Sequence, residues 1–200
     1  KEDMSWADAG HEVAFGQKIY KKIPAFHASE KPIRVVHGKV NIGVKGEDFD
    51  CLFSMLSGGL VSYRYAGKEM IEKIPMPNFW RAPVDNDNGS MAPARYAQWK
   101  IASMYISHRN GGMFDNVPTK VEEKDNTVTV TYTYFMPTTP AGKCQVSYTV
   151  FGDGTIETKL MYDPVEGLPD MPEFGMMFWF NADYDNLTWY GMGPDETYAD

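Results

Sequence analysis

The sequence predicts an all-β protein, an antiparallel β-sandwich carrying one short helix. Strict alternation is clearest in Thr127-Val128-Thr129-Val130-Thr131-Tyr132-Thr133-Tyr134, where hydroxyls and large apolar groups take opposite faces of a strand. A hairpin is written in Cys144 to Val150, the turn Gly152-Asp153-Gly154 and the run from Thr155 to Leu160. Ser57-Gly58-Gly59 and Lys124-Asp125-Asn126 supply further turns between apolar runs. Short strands joined by tight turns, wet on one face and apolar on the other, pack as sandwiched antiparallel sheets.

Taken in order, the chain loses its periodicity over residues 23–32, where Pro24 and Pro32 mark a linker. Residues before it are expected to close an upstream domain. Phe49-Asp50-Cys51-Leu52-Phe53 restores the alternation, with Cys51 on the apolar side. Residues 95–105 combine good helix formers with apolar residues near a 3.6 spacing, and this is the expected helix. Cys144 again sits on the apolar face of its strand. Both cysteines are expected as free buried thiols, a disulfide being the lesser reading, and neither has zinc-site spacing.

Two hundred residues, 43% of them hydrophobic and 23% charged, suit one large soluble domain or a domain with part of its neighbour. A net charge of −8 opposes binding to phosphate backbones and anionic membranes, so neither nucleic acid nor membrane is an expected partner. No run of about 18 apolar residues is present. Lys1-Glu2-Asp3-Met4 carries no signal-peptide core and reads as a cut inside a longer chain. Compartment stays open, cytoplasmic or periplasmic in a bacterium.

Glycoside hydrolysis requires two carboxyl groups across one sugar. The acidic pairs are Asp85 with Asp87, Asp183 with Asp185, and Asp195 with Glu196. On a strand, residues two apart share a face at about 6.5 Å, a separation a retaining enzyme tolerates. Solvated turn formers are the preferred reading for each pair. Asp85-Asn86-Asp87-Asn88-Gly89 resembles the start of a calcium loop, but with Gly89 sixth the first and twelfth positions are Val84 and Arg95, neither a ligand. His11, His27, His37 and His108 are scattered without a partnered motif, and no glycine loop cradles phosphate. Phe79-Trp80, Trp99, Phe178-Trp179-Phe180 and Trp189-Tyr190 are read mainly as core, although sugars stack on exposed aromatics. Asn88-Gly89-Ser90 and Asn186-Leu187-Thr188 match the glycosylation sequon. No catalytic residue, metal ligand or bound cofactor is assigned to this chain.

Four ordered motifs resemble the end of the β-galactosidases of glycoside hydrolase family 2. Trp6 to Phe15 is similar to the last strand of that family's immunoglobulin-like domain, and Phe53 to Gly67 to the first hairpin of its C-terminal sandwich. Phe79-Trp80-Arg81-Ala82-Pro83-Val84-Asp85-Asn86-Asp87 is the most specific match. Gly191-Met192-Gly193-Pro194-Asp195-Glu196-Thr197-Tyr198-Ala199-Asp200 fits a later motif. The resemblance implies that residues 1–32 end an immunoglobulin-like domain and its linker. Residues 33–200 would begin a galactose-mutarotase-like supersandwich, incomplete at its C-terminus.

It further implies a galactosidase whose acid and nucleophile glutamates lie on a separate barrel domain, with magnesium and sodium near them. The loop at Gly89, Ser90 and Met91, running to Ala94, is expected at the mouth of the galactoside site. Arg81, Asp85, Asn86 and Asp87 are expected to anchor it, Arg81 pairing with Asp85. Strand edges left without partners imply self-association. A free-standing carbohydrate-binding module using Trp80, Trp179 or Trp189, and a mutarotase-like epimerase, are the competing readings. For the latter no acid–base pair can be nominated.

Overall fold

The computed structural model describes residues 31–109 and 120–186, with the isolated positions Ser5, Ala9 and Ser29. Outside them lie the immunoglobulin-like strand expected before residue 16, the linker as far as residue 30, His11 and His27. So do Trp189-Tyr190, Asp195, Glu196, the motif at 191–200 and most of the second sequon.

The first sheet orders its strands as they occur: β1 (Arg34–His37), β2 (Asn41–Lys45), β3 (Phe49–Ser54), β4 (Gly59–Tyr65) and β5 (Lys68–Glu69). Next come β6 (Lys73–Asn78) and the helices α1 (Asp85–Gly89), α2 (Ala92–Arg95) and α3 (Ala97–Tyr105). A second sheet holds β7 (Lys120–Lys124), β8 (Thr127–Met136), β9 (Gly142–Phe151) and β10 (Ile156–Tyr162) in the order β10-β9-β8-β7. Last, β11 (Gly175–Trp179) returns to pair with β6 as a two-stranded sheet. All these ladders are antiparallel, as the alternation predicts.

Alternation becomes architecture most directly where β8 pairs with β9. Val128, Val130, Tyr132 and Tyr134 lie opposite Val150, Tyr148, Val146 and Cys144, all buried. The other face carries hydroxyl pairs, Thr129 with Thr149 at 3.0 Å and Thr131 with Ser147 at 2.9 Å. Against the buried face packs the first sheet, with Ile42, Val44, Phe49, Cys51, Phe53 and Leu60. Rings of Phe53 and Tyr148 meet at 5.6 Å between centroids. Each such side chain contributes about 1.5–3 kcal/mol on burial. The tyrosine hydroxyls in this layer donate across it, Tyr134 to the Gly58 carbonyl, Tyr132 to Gly59 at 3.4 Å and Tyr63 to Gly154 at 2.8 Å. Cys51 and Cys144 are free and buried within this core.

All three expected turns form. Gly58 ends the β3–β4 turn at φ +73, Asp125 sits at φ +51 between β7 and β8, and Gly154 at φ +90 closes the β9–β10 hairpin. At the tip of that hairpin, a Cβ on Gly152 would stand 1.8 Å from the Lys31 carbonyl oxygen. Only glycine lets the incoming backbone lie there.

The single expected helix is a correction. Three short helices replace it, because the Asp-Asn-Asp-Asn-Gly cluster coils into α1 instead of a plain loop. Asp87 reaches back to accept from the Val84 N–H at 2.9 Å, and Asp85 and Asp87 place negative charge in the first turn. Pro93 suits the start of α2, and α3 covers the expected residues 95–105 except Arg95, which ends α2, and Tyr96, which caps both helices. α3 turns Trp99 and Ala102 into the core.

An apolar groove of about 780 Å³, open to solvent, is bordered by Leu60, Tyr63, Ile71, Ile156, Met176 and Phe178. Among the described residues β10 and β11 are edge strands. Phe178 and Phe180, expected in the core, are exposed here.

Candidate functional site

The Phe79 to Asp87 segment leaves β6 and is clamped before it reaches α1. Phe79 is fully buried, its ring 5.8 Å from that of Trp99 and 6.3 Å from that of Phe174. Its N–H donates to Ser103 Oγ at 2.8 Å, and Ser103 Oγ in turn donates to the Trp99 carbonyl at 2.9 Å. Asn78 Nδ2 donates to the Trp80 carbonyl and to Glu173 Oε1, both at 2.8 Å. Two elements distant in sequence, α3 and the segment before β11, therefore hold the motif's first residues.

Beyond that clamp stands Arg81. Its guanidinium makes a two-pronged pair with Asp87, Nη1 to Oδ2 at 2.6 Å and Nη2 to Oδ1 at 3.2 Å. Asp87 Oδ2 also takes the Val84 N–H, so one carboxylate closes a ring from Arg81 through the start of α1. The Arg81 hydrogen bonds, and after them the Val84 N–H, hold the Asp87 carboxyl below its usual range, and it is ionised at neutral pH. Asp85, the carboxylate expected opposite Arg81, is exposed at the head of α1. The helical coil is the reason: it turns the third residue of α1 back over Val84 and leaves the first pointing outward.

The same coil disposes of the acidic pair as a dyad. Residues two apart share a face on a strand, but on a helix they diverge by about 200°. Asp183 and Asp185 are exposed beside a turn in which Asp183 N–H donates to Asn181 Oδ1 at 2.9 Å.

The expected site loop is short and tightly tied. Asn86 accepts the Ser90 N–H at 3.0 Å, Asn88 accepts the Met91 N–H at 3.2 Å, and Ser90 Oγ donates to the Asp87 carbonyl at 3.1 Å. Gly89 ends α1, and only Ser90 and Met91 separate it from α2. Met91 has the left-handed backbone φ +58, ψ +23, and its side chain is 65% exposed.

Between this loop and the clamp opens a cleft of about 310 Å³, continuous with solvent. Trp80, Arg81, Asp87, Pro93, Tyr96 and Pro172 are among its walls. The Arg95 guanidinium lies 5.0 Å over the Tyr96 ring on its rim. Trp80, half-buried, thus serves the surface as well as the core. Pro172, Tyr96 and Glu173 were not singled out in the sequence, since their part depends on tertiary contacts that no local pattern announces.

Among the described residues, the other aromatic and histidine positions named from the sequence do not join this site. Trp179 packs beneath the Lys73 ammonium at 5.7 Å, and His37 Nε2 meets Glu123 at 2.6 Å on the exposed face of β1. His108 packs behind the β3–β4 turn, its Nε2 buried with no hydrogen-bond partner. Among the described residues, no three His, Cys, Asp or Glu side chains converge as a metal site would require. No described helix is long and apolar enough to cross a membrane.

Residues 45–200 match the family model described as "Beta galactosidase small chain". Over 98% of its length the chain is 42% identical to a "Beta-galactosidase" of Clostridium acetobutylicum, covering 21% of that protein. Similarity to a "Beta-galactosidase" of Halalkalibacterium halodurans is 44% identity over the whole chain and 19% of the relative. A "Beta-galactosidase small subunit" of Latilactobacillus sakei is 35% identical over 86% of the chain and 58% of its own length. The chain spans about a fifth of the first two relatives.

Proposed function

The chain belongs to the β-galactosidase small-chain family, and from that premise we propose that it is an accessory module of a family 2 β-galactosidase, a glycosidase that hydrolyses terminal β-D-galactosides. It borders the galactoside site without supplying the catalytic glutamates. One observation carries the reading: the closed ring of Arg81, Asp87 and Val84 that fixes the base of Gly89, Ser90 and Met91. A bidentate guanidinium–carboxylate pair sets direction as well as distance, which a loop needs if it is to present its tip to a substrate.

Residues 33–200 are the start of the family's mutarotase-like supersandwich in this reading. The acid, the nucleophile, magnesium and sodium belong to the larger remainder of the polypeptide, and the described residues do not fit a metal. Isolated, the chain self-associates through the edge of β11, where Met177, Phe178 and Phe180 are exposed. A monomer in light scattering would overturn that last point.

The test replaces the equivalent segment of the Clostridium relative with this chain. The chimera is expected to hydrolyse nitrophenyl-β-galactoside, and the isolated chain to show no turnover. Turnover by the isolated chain, or undiminished activity of the relative with the segment deleted, would overturn the proposal.

A further inference from the structure

α3 is apolar on two sides. Trp99 and Ala102 enter the core, with Ile106 buried just beyond. On the opposite side Ile101, Met104 and Tyr105 stand at the i, i+3, i+4 spacing of one face, exposed by 46%, 62% and 63%. A helix apolar on two opposite sides can bury both only inside a larger body. The excursion from β6 to β7 adds two more exposed apolar residues upstream, Val84 and Met91, and the cleft between Trp80 and Tyr96.

Charge sorts in the same direction. The chain has 27 acidic residues against 19 basic, yet none falls between Asn88 and Arg109, a stretch that holds Arg95, Lys100 and Arg109. Arg95 and Lys100 are exposed beside the apolar stripe. An apolar strip with a basic rim, on an otherwise acidic module, calls for a partner whose patch is apolar and rimmed by carboxylates.

We propose that the outer face of α3, with the Trp80–Tyr96 cleft, is the surface on which the larger remainder of a β-galactosidase docks. This rests on the accessory-module reading and names its interface. Two findings select that occupant. About four-fifths of the Clostridium and Halalkalibacterium relatives lie outside the matched segment. A relative also occurs as a small subunit, a polypeptide of its own, so in that form the contact must hold without a peptide link. The stripe also lies one short helix beyond the loop assigned to the site's border, which puts docking face and loop on one excursion from the sheets.

Cysteine footprinting tests it, because the native thiols are buried. Met104→Cys is alkylated in the isolated chain and in the full-length Clostridium chimera, with Lys68→Cys in exposed β5 as the reference. We expect Met104→Cys to react at least tenfold more slowly in the chimera, relative to Lys68→Cys. A Lys100→Glu background should restore its rate at least threefold. Equal rates in chain and chimera overturn the docking face, and an unchanged rate with Lys100→Glu overturns the acidic rim. Slowing that appears in the isolated chain as its concentration rises assigns the face to a second copy instead. Loss of activity in the chimera without any substitution strikes the accessory-module reading itself, so the two failures are told apart.

Discussion

The His108 imidazole fills the space above Gly58 so completely that a Cβ on the glycine would stand 2.2 Å from its Cγ and Nδ1. Gly58 is also at φ +73, and its carbonyl accepts from Tyr134. Gly58→Ala therefore combines left-handed strain with a steric conflict, and is expected to destabilise by about 2–4 kcal/mol. Gly67 is the control, since it has φ +78 but nothing within 4 Å of its would-be Cβ. Gly67→Ala should lose only about 1 kcal/mol. Denaturant midpoints followed by tryptophan fluorescence compare the two.

His108 also predicts a pH dependence. Burial, and then the nearby Arg109 charge, hold its pKa below the ordinary 6.5, against hydrogen bonds to the Leu56 and Met55 backbone that raise it. The unfolded chain takes up this proton near 6.5 while the fold resists it. Stability is thus complete above that value and declines as pH falls through it towards the folded pKa. Melting temperature is expected to fall between pH 7.5 and 5.5, and His108→Gln to flatten that step. Asp87 and Glu69, with lowered carboxyl pKa values, weaken the fold only at more acidic pH.

Asp87→Asn keeps the shape but removes the charge from the pair with Arg81. In the full-length chimera it is expected to lower kcat/KM roughly tenfold or more by releasing the loop base. Arg81→Lys loses the fork and should behave alike. Asp85→Asn is expected to leave kcat/KM within twofold, since Asp85 is exposed and Arg81 pairs elsewhere. Steady-state kinetics on nitrophenyl-β-galactoside reads all three.

The cysteines should be silent in the native chain. Burial pushes both thiols up to about 12, so almost no thiolate exists at pH 8. A disulfide-exchange reagent is expected to titrate neither in the folded state and both in denaturant. A reducing agent should leave the melting temperature unchanged.

Much of the sandwich was legible because strand burial has a period of two. Residues 127–134 and the hairpin after Cys144 carry that pattern without interruption, and their turns contain the residues such turns require. The cluster at Asp85 to Gly89 misled because Asx side chains serve turns and helix starts by the same backbone hydrogen bonds. That error shifted the expected partner of Arg81 by two residues. Trp80 and Arg81 could be named from their motif, but the roles of Asn78, Glu173 and Ser103 arise where β6, α3 and the segment before β11 meet. The exposure of Phe178 and Phe180 was equally hidden, since an apolar residue in a strand says nothing about which layers surround it.

The seat that Gly152 provides for the Lys31 backbone has a mechanical meaning. The β9–β10 ladder is complete without it, so a side chain at 152 would evict the incoming segment and leave the hairpin standing. The hairpin tip of the second sheet thus holds the approach to β1 of the first, a tie between the two layers that no strand pairing provides.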